Sequence, residues 1–130
     1  MNRERTVELT EAEWQVIKAV WEKEPCTAPE VQGRLAEATA WTYSTVRTLL
    51  DRMTAKGLLS AVKEGKLTWF RSRVTRQQAQ AGEVGYALKH AFDDALTPMV
   101  QCLLDRRGVS DRDLEELEAL IRARRRRGAA

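Results

Sequence analysis

The stretch Thr42-Tyr43-Ser44-Thr45-Val46-Arg47-Thr48-Leu49-Leu50-Asp51-Arg52-Met53-Thr54-Ala55-Lys56-Gly57 decides how this chain folds. Val46, Leu49, Leu50 and Met53 recur at i, i+3, i+4 and i+7, the spacing that lines one side of a helix. Thr42 suits the helix start, because its hydroxyl can accept one of the N–H groups left without a partner in the first turn. Gly57 suits the end, where a left-handed residue commonly closes the last turn. The pattern therefore predicts a helix over residues 42–56. With its apolar stripe turned inward, the outer face carries Ser44, Thr45, Arg47, Thr48, Asp51 and Arg52.

Two shorter helices are expected upstream. Thr10-Glu11-Ala12-Glu13 has the form of a capping box, in which the threonine and the acid three residues on satisfy each other's backbone N–H. Trp14, Ile17 and Trp21, with Val20 beside them, give the helix behind it an apolar face that ends near Pro25. Thr27-Ala28-Pro29-Glu30 repeats the device, with proline in the first turn where its missing N–H costs nothing. Val31 and Leu35 form the stripe of this second helix, and a break follows around Ala38 to Trp41.

Downstream of Gly57 the period changes. Residues 58–63 and 67–74 are short apolar, β-branched and aromatic runs separated by Glu64-Gly65-Lys66, which reads as a β-hairpin with a three-residue connection. Three capped helices followed by a two-stranded ribbon is the order of a winged helix-turn-helix. The expected fold is mainly α, with this domain over residues 1–74 and a helical arm over residues 75–130.

In the arm, Ala81, Val84, Leu88, Ala91 and Ala95 form a helical stripe adjoined by Phe92, although Gly82 and Gly85 each weaken a helix by about 1 kcal/mol relative to alanine. Thr97-Pro98 restarts a helix containing Met99, Val100, Leu103 and Leu104, and Gly108 stops it. Ser110-Asp111-Arg112-Asp113 caps a last helix with Leu114, Leu117, Leu120 and Ile121 on one side. Arg124 to Arg127 form a basic tail of the kind that is usually solvated. Helices this short are marginal alone in water, so their stripes need a partner surface. A second copy of the chain supplies one symmetrically, with Val84, Leu88, Phe92, Met99, Leu103, Leu114, Leu117 and Ile121 as the expected contact residues. Folding back on the winged domain is the alternative.

Composition excludes several classes of function. Of 130 residues, 43% are apolar and 32% charged, which fits an ordinary folded protein. No apolar run approaches the roughly 20 residues needed to cross a membrane, and the polar start Met1 to Arg5 gives no sign of a secretory signal. Cys26 and Cys102 lie far apart with no CxxC or Cys/His cluster, so neither a disulfide framework nor a metal site is expected, and a cytoplasmic setting is. A single histidine, His90, and no glycine-rich phosphate loop leave enzyme chemistry without a catalytic constellation, and no cofactor is expected.

The face expected on the third helix suits double-stranded DNA. Arg47 can bond the O6 and N7 of a guanine bidentately, while Thr45 and Thr48 can bond base edges or touch a thymine methyl. Short side chains such as Ser44 permit close approach. Trp41 and Tyr43, at the entry to the helix, can touch backbone phosphate or sugar, and Thr42 and Arg52 are further expected DNA contacts. Asp51 departs from the pattern, and pairing with Arg47 or Arg52 is expected to quench it. Lys63 and Lys66 place positive charge around the hairpin tip, with Arg71 and Arg73 on the returning strand; such lysines also serve simply to keep a strand edge from pairing. The four tryptophans are expected to pack rather than stack on bases.

The segments LTEAEWQVIKAVW and TYSTVRTLLDRMTAKGLL, followed by the hairpin, resemble the penicillinase and methicillin-resistance repressors and the related copper-responsive repressors. The resemblance covers residues from about 7 to 125 and is strongest through 74. It implies a homodimer on a palindromic operator, repressing nearby genes until induction, with DNA contacts at Ser44, Thr45, Arg47 and Thr48. A lysine commonly stands at position 44 in the antibiotic-responsive members, so the serine here alters one contact. Those members also imply a membrane metalloprotease sensor that triggers a cut in the arm at an Asn-Phe bond, where this chain has Cys102-Leu103. The copper branch uses C-terminal cysteines that this arginine-rich end lacks. Two other readings remain at this level: a winged helix that binds only protein, and a repressor whose arm holds a small molecule near Tyr86 and Phe92.

Overall fold

A computed structural model describes residues 7–129; Met1 to Thr6 and Ala130 lie outside the described residues. Thr10 caps helix α1 (Glu11–Glu22) reciprocally: the Glu13 N–H donates to its hydroxyl at 3.2 Å and its own N–H donates to Glu13 Oε1 at 2.9 Å. Thr27 and Glu30 form the same box on α2 (Ala28–Arg34), at 3.4 and 2.9 Å. Helix α3 (Tyr43–Ala55) begins with the Thr45 N–H donating to Thr42 Oγ1 at 3.2 Å. It ends on Gly57, whose φ is +81°. There the Leu58 N–H reaches the Met53 carbonyl at 2.9 Å and the Gly57 N–H reaches that of Thr54 at 3.0 Å. This pair of bonds satisfies carbonyls that the last turn would otherwise leave open.

Strands β1 (Leu59–Glu64) and β2 (Leu67–Ser72) pair antiparallel, with Leu59 opposite Ser72 and Glu64 opposite Leu67. The connection is thus two residues, Gly65-Lys66, and not the three expected: Glu64 still belongs to the ladder. Only Gly65, at φ +62°, is left-handed, the sign pattern of a II′ turn, which follows the twist of a ribbon. Cys26, between α1 and α2, adds a bridge to the ribbon by exchanging backbone bonds with Phe70 at 3.0 and 2.7 Å. The Glu24 carboxylate beside it accepts from the Ser72 N–H at 2.6 Å and the Ser72 hydroxyl at 3.0 Å.

These elements close on Val16, Ile17, Val20, Val31, Val46, Leu50, Met53 and Phe70, all fully buried. The buried face of α1 is therefore turned from the one expected. Val16, Ile17, Ala19 and Val20 fill the core, while Trp14 and Trp21 flank it half-exposed. The two indoles meet edge to face, 6.3 Å between ring centres, and turn toward α4 (Arg76–Phe92). Trp14 Nε1 donates to Glu83 at 2.8 Å, Trp21 Nε1 to the Val74 carbonyl at 3.1 Å, and the Arg76 guanidinium lies 4.6 Å from the Trp21 ring centre. Thr75 and Gln78 cap α4 reciprocally at 3.1 and 2.9 Å, a box not singled out in the sequence. Gly82, read there as a weakness, has a cause: a Cβ would fall 1.5 Å from the Val7 carbonyl oxygen.

The chain forms two compact units that divide between Tyr86 and Ala87. The second contains the end of α4, α5 (Leu96–Arg106) and α6 (Asp111–Ala129). Helix α5 starts one residue before the Thr97-Pro98 expected, after Ala95, which offers no side-chain cap. Ser110 and Asp113 cap α6 as the sequence suggests, at 3.2 and 3.0 Å. Arg124 to Arg127 are not a tail beyond the helix; they are part of α6. No described residue from 87 to 129 is buried.

Glu13 joins α1 to α3. Besides capping, its buried carboxylate pairs with the half-exposed Lys56 at the end of α3. Burial opposes its charge, but the bonds from Lys56 and Thr10 outweigh this and hold its pKa below the usual glutamate value. Because the folded pKa is the lower one, this stabilisation is complete above the unfolded value of about 4.3. It is lost as pH falls through the folded pKa. Glu13→Gln keeps the cap and removes the charge. Chemical unfolding at neutral pH is expected to show a loss of about 1 kcal/mol, a charged hydrogen bond discounted for the exposure of Lys56. As pH falls through the folded pKa of Glu13, the variant and the parent should converge.

Candidate nucleic-acid interface

Burial of Val46, Leu50 and Met53 fixes which side of α3 faces outward. Tyr43, Ser44, Thr45, Thr48, Asp51 and Arg52 are exposed, and Leu49 is half-buried at the margin of the stripe. With Trp41 and Ala12 this side borders a shallow concavity lined by Ser44, Thr45, Thr48, Leu49 and Arg52. The Thr42 hydroxyl accepts the Thr45 N–H and donates to Thr45 Oγ1 at 3.2 Å. Thr45 therefore keeps its own hydroxyl proton to give to an external acceptor.

Arg47 is the most constrained of these side chains. Its Nε donates to Asp51 at 3.1 Å to Oδ1 and 3.4 Å to Oδ2. The Tyr43 side chain bonds it from the preceding turn, and Tyr43 first and Asp51 second push the guanidinium pKa up. The guanidinium carbon lies 5.7 Å from the centre of the Phe70 ring. Asp51 thus takes the nearer partner of the two the sequence offered. The Tyr43–Arg47 contact was missed, although its i, i+4 spacing is the signal that reveals it.

The ribbon separates the basic residues that the sequence grouped together. Lys63 alternates with Leu59 and Ala61, so it lies on the ribbon face that carries the buried Leu59 and Phe70; Lys66 is exposed in the turn. Arg71 lies on the other face, with Val62 and Trp69. Lys63 and Lys66 therefore stand on the face or tip of the ribbon that carries Leu59 and Phe70, and Arg73 lies just past the end of β2. Trp41 is half-buried against the core, and Trp69 is half-buried on the outer ribbon face, so neither is a free stacking platform.

The expected contact residues of the arm fall in both units. Val84 is exposed on the part of α4 that belongs to the first unit. In the second, Leu88, Phe92 and Met99 are half-buried, and Leu103, Leu114, Leu117 and Ile121 are exposed. Cys102 is half-buried and free, within α5.

The family model described as "Penicillinase repressor" matches residues 9–123. The chain is 23% identical to the Penicillinase repressor of Bacillus licheniformis over 120 residues, covering 92% of this chain and 94% of that protein. It is 22% identical to the methicillin resistance regulatory protein MecI of Staphylococcus aureus over 117 residues, covering 90% and 95%. Among solved structures, the DNA binding domain of the repressor BlaI is 25% identical with a TM-score of 0.50, covering 58% of this chain and 93% of that one.

The start of α3 rests on one side chain, because Thr42 supplies the only capping hydroxyl at the helix's N-terminus. Thr42→Ala is expected to cost about 1 kcal/mol in chemical denaturation. Thr42→Asn, which keeps an acceptor at the cap, should recover most of that loss.

Proposed function

The chain belongs to the penicillinase repressor family, and on that premise we propose that it is a sequence-specific, DNA-binding transcriptional repressor. It acts as a homodimer on a palindromic operator and is released by an inducing signal. Repressors, not enzymes, make up the family. The observation that carries the reading is the outer face of α3, with Thr45, Thr48 and Arg47 presented on a rigid stripe of buried Val46, Leu50 and Met53.

In this reading α3 enters the major groove. Arg47 reads a guanine, and Thr45 and Thr48 read neighbouring edges. Thr42, Tyr43, Ser44 and Arg52 meet the sugar-phosphate backbone beside the groove, and Lys63 and Lys66 meet it from the ribbon. Such contacts position the helix, while base contacts select the site. Residues 1–74 form the reading domain and residues 75–130 the dimerisation arm. Its Leu88, Phe92, Met99, Leu103, Leu114, Leu117 and Ile121, with Val84, cover one another across a two-fold axis. The support for this is the absence of any buried side chain among the described residues from 87 to 129, since helices so exposed gain little from folding alone. DNA as the ligand sets the place of action in the cytoplasm, and no described helix is long and apolar enough to cross a membrane.

A membrane metalloprotease sensor is the inducing partner that the antibiotic-responsive relatives suggest. Here the matching bond, Cys102-Leu103, is inside α5, so cutting it requires that helix to open first. The inducing signal is left as the variable of the proposal.

Two measurements test it. Gel-shift titration against DNA flanking the chain's own gene should reveal a palindrome with half-sites about 10 bp apart. On it, Arg47→Ala should lose about 1–3 kcal/mol and blur one base position in each half; equal binding of every sequence by parent and variant would refute the reading. Sedimentation equilibrium should show a dimer that Leu117→Arg shifts to monomer, since an unpaired charge cannot sit in an apolar interface. A parent chain that stays monomeric at micromolar concentration removes the arm from the proposal.

A further inference from the structure

The carboxylate of Asp51 faces the same side as the proposed base-reading residues, where a negative charge repels phosphate. Its geometry gives it a use. Both of its oxygens accept from one atom, Arg47 Nε, at 3.1 and 3.4 Å. A guanidinium has five N–H donors in a planar fork. Binding a guanine through O6 and N7 needs two of them in parallel, and the terminal Nη groups can supply that pair while Nε stays on Asp51. Tyr43 steadies the guanidinium from the turn before and Phe70 lies beneath it. The side chain is therefore held on several sides, and its rotamer entropy is spent before DNA arrives.

We propose that Asp51 is a specificity-determining positioning residue: it holds Arg47 by Nε so that the guanidinium offers its Nη edge to a guanine and is withheld from phosphates. This rests on the reading of α3 as a DNA-reading helix. The consequence concerns wrong sequences more than right ones. On the operator, Arg47 keeps Asp51 and gains a base. On random DNA the same guanidinium is drawn toward a phosphate, and Asp51 on its Nε then brings a carboxylate up against that phosphate. The penalty falls on nonspecific binding, which is how a repulsive element raises selectivity.

The test is Asp51→Asn in the full-length chain, measured by fluorescence anisotropy on operator and on random duplex over a range of salt. Asparagine has nearly the same size and keeps an acceptor, but it neither holds the guanidinium by charge nor repels phosphate. Random-DNA affinity should rise, and its log–log salt slope should steepen by about 0.9, one additional phosphate contact. The ratio of operator to random affinity should fall by about tenfold. Discrimination should relax at the base position read by Arg47 and at no other. Asp51→Glu, which reaches farther but keeps the charge, should leave the random-DNA slope at the parent value. If Asp51→Asn leaves the slope and the base profile unchanged, or weakens both DNAs equally, the inference is overturned. If the parent itself shows no preference for any sequence, it is the reading of α3 as a DNA-reading helix that fails, and the two failures are told apart by the parent's titration alone.

Discussion

The rotation of α3 about its own axis is the setting on which the interface depends, and Val46, Leu50 and Met53 fix it. Each is fully buried, against a core that includes Ile17, Val20, Val31 and Phe70. Successive residues of a helix are turned by about 100°, so shifting this stripe by one position would carry Thr45 or Arg47 toward the core and expose an aliphatic residue in its place. Phe70 has a second part in this. Its backbone is tied to Cys26 and its ring lies under the Arg47 guanidinium. One buried aromatic thus links the ribbon, the α1–α2 connection and the side chain at the centre of the outer face.

Around that setting, the ends of the helices are held by short polar devices that agree with one another. Reciprocal caps start α1, α2, α4 and α6, and a glycine closes α3. Glu13 belongs to two of these arrangements at once, since it completes the first cap and pairs with Lys56 beside the last turn of α3. A buried carboxylate is costly unless fully bonded, and here Thr10 and Lys56 supply those bonds. The beginning of one helix therefore locates the end of another, which is a stronger constraint on a reading helix than apolar packing alone.

Much of this was legible in the sequence because it is local. A threonine followed three residues later by an acid, an i, i+3, i+4, i+7 stripe and a glycine behind it each carry their own physical cause within a few residues. What was not legible depended on distant partners. Gly82 looks like a defect in a helix until the Val7 carbonyl is placed against it. Trp14 and Trp21 read as the centre of an apolar face, yet Glu83, Arg76 and the Val74 carbonyl draw them to its edge. The arginine run misled for another reason. Like charges one turn apart oppose a helix by only a few tenths of a kcal/mol, arginine is itself a good helix former, and cations are favoured near a helix C-terminus. Composition pointed to a solvated tail where these terms together extend α6.

A net charge of only +3 bears on how such a protein reaches selectivity. Strong nonspecific binding needs many phosphate contacts, and a small net charge adds little long-range attraction to them. One helix reading three or so base pairs, at about 1–3 kcal/mol for each good contact, falls toward the low end of the roughly 4–10 kcal/mol that separates specific from nonspecific sites. Doubling the reading surface is the direct way to close that gap, because a second identical helix adds its base contacts without adding a second loss of translational freedom. In the proposed dimer the exposed leucines of α5 and α6 and the outer face of α3 serve the same end. Weak general attraction there leaves selection to geometry, which two copies held at a fixed spacing supply.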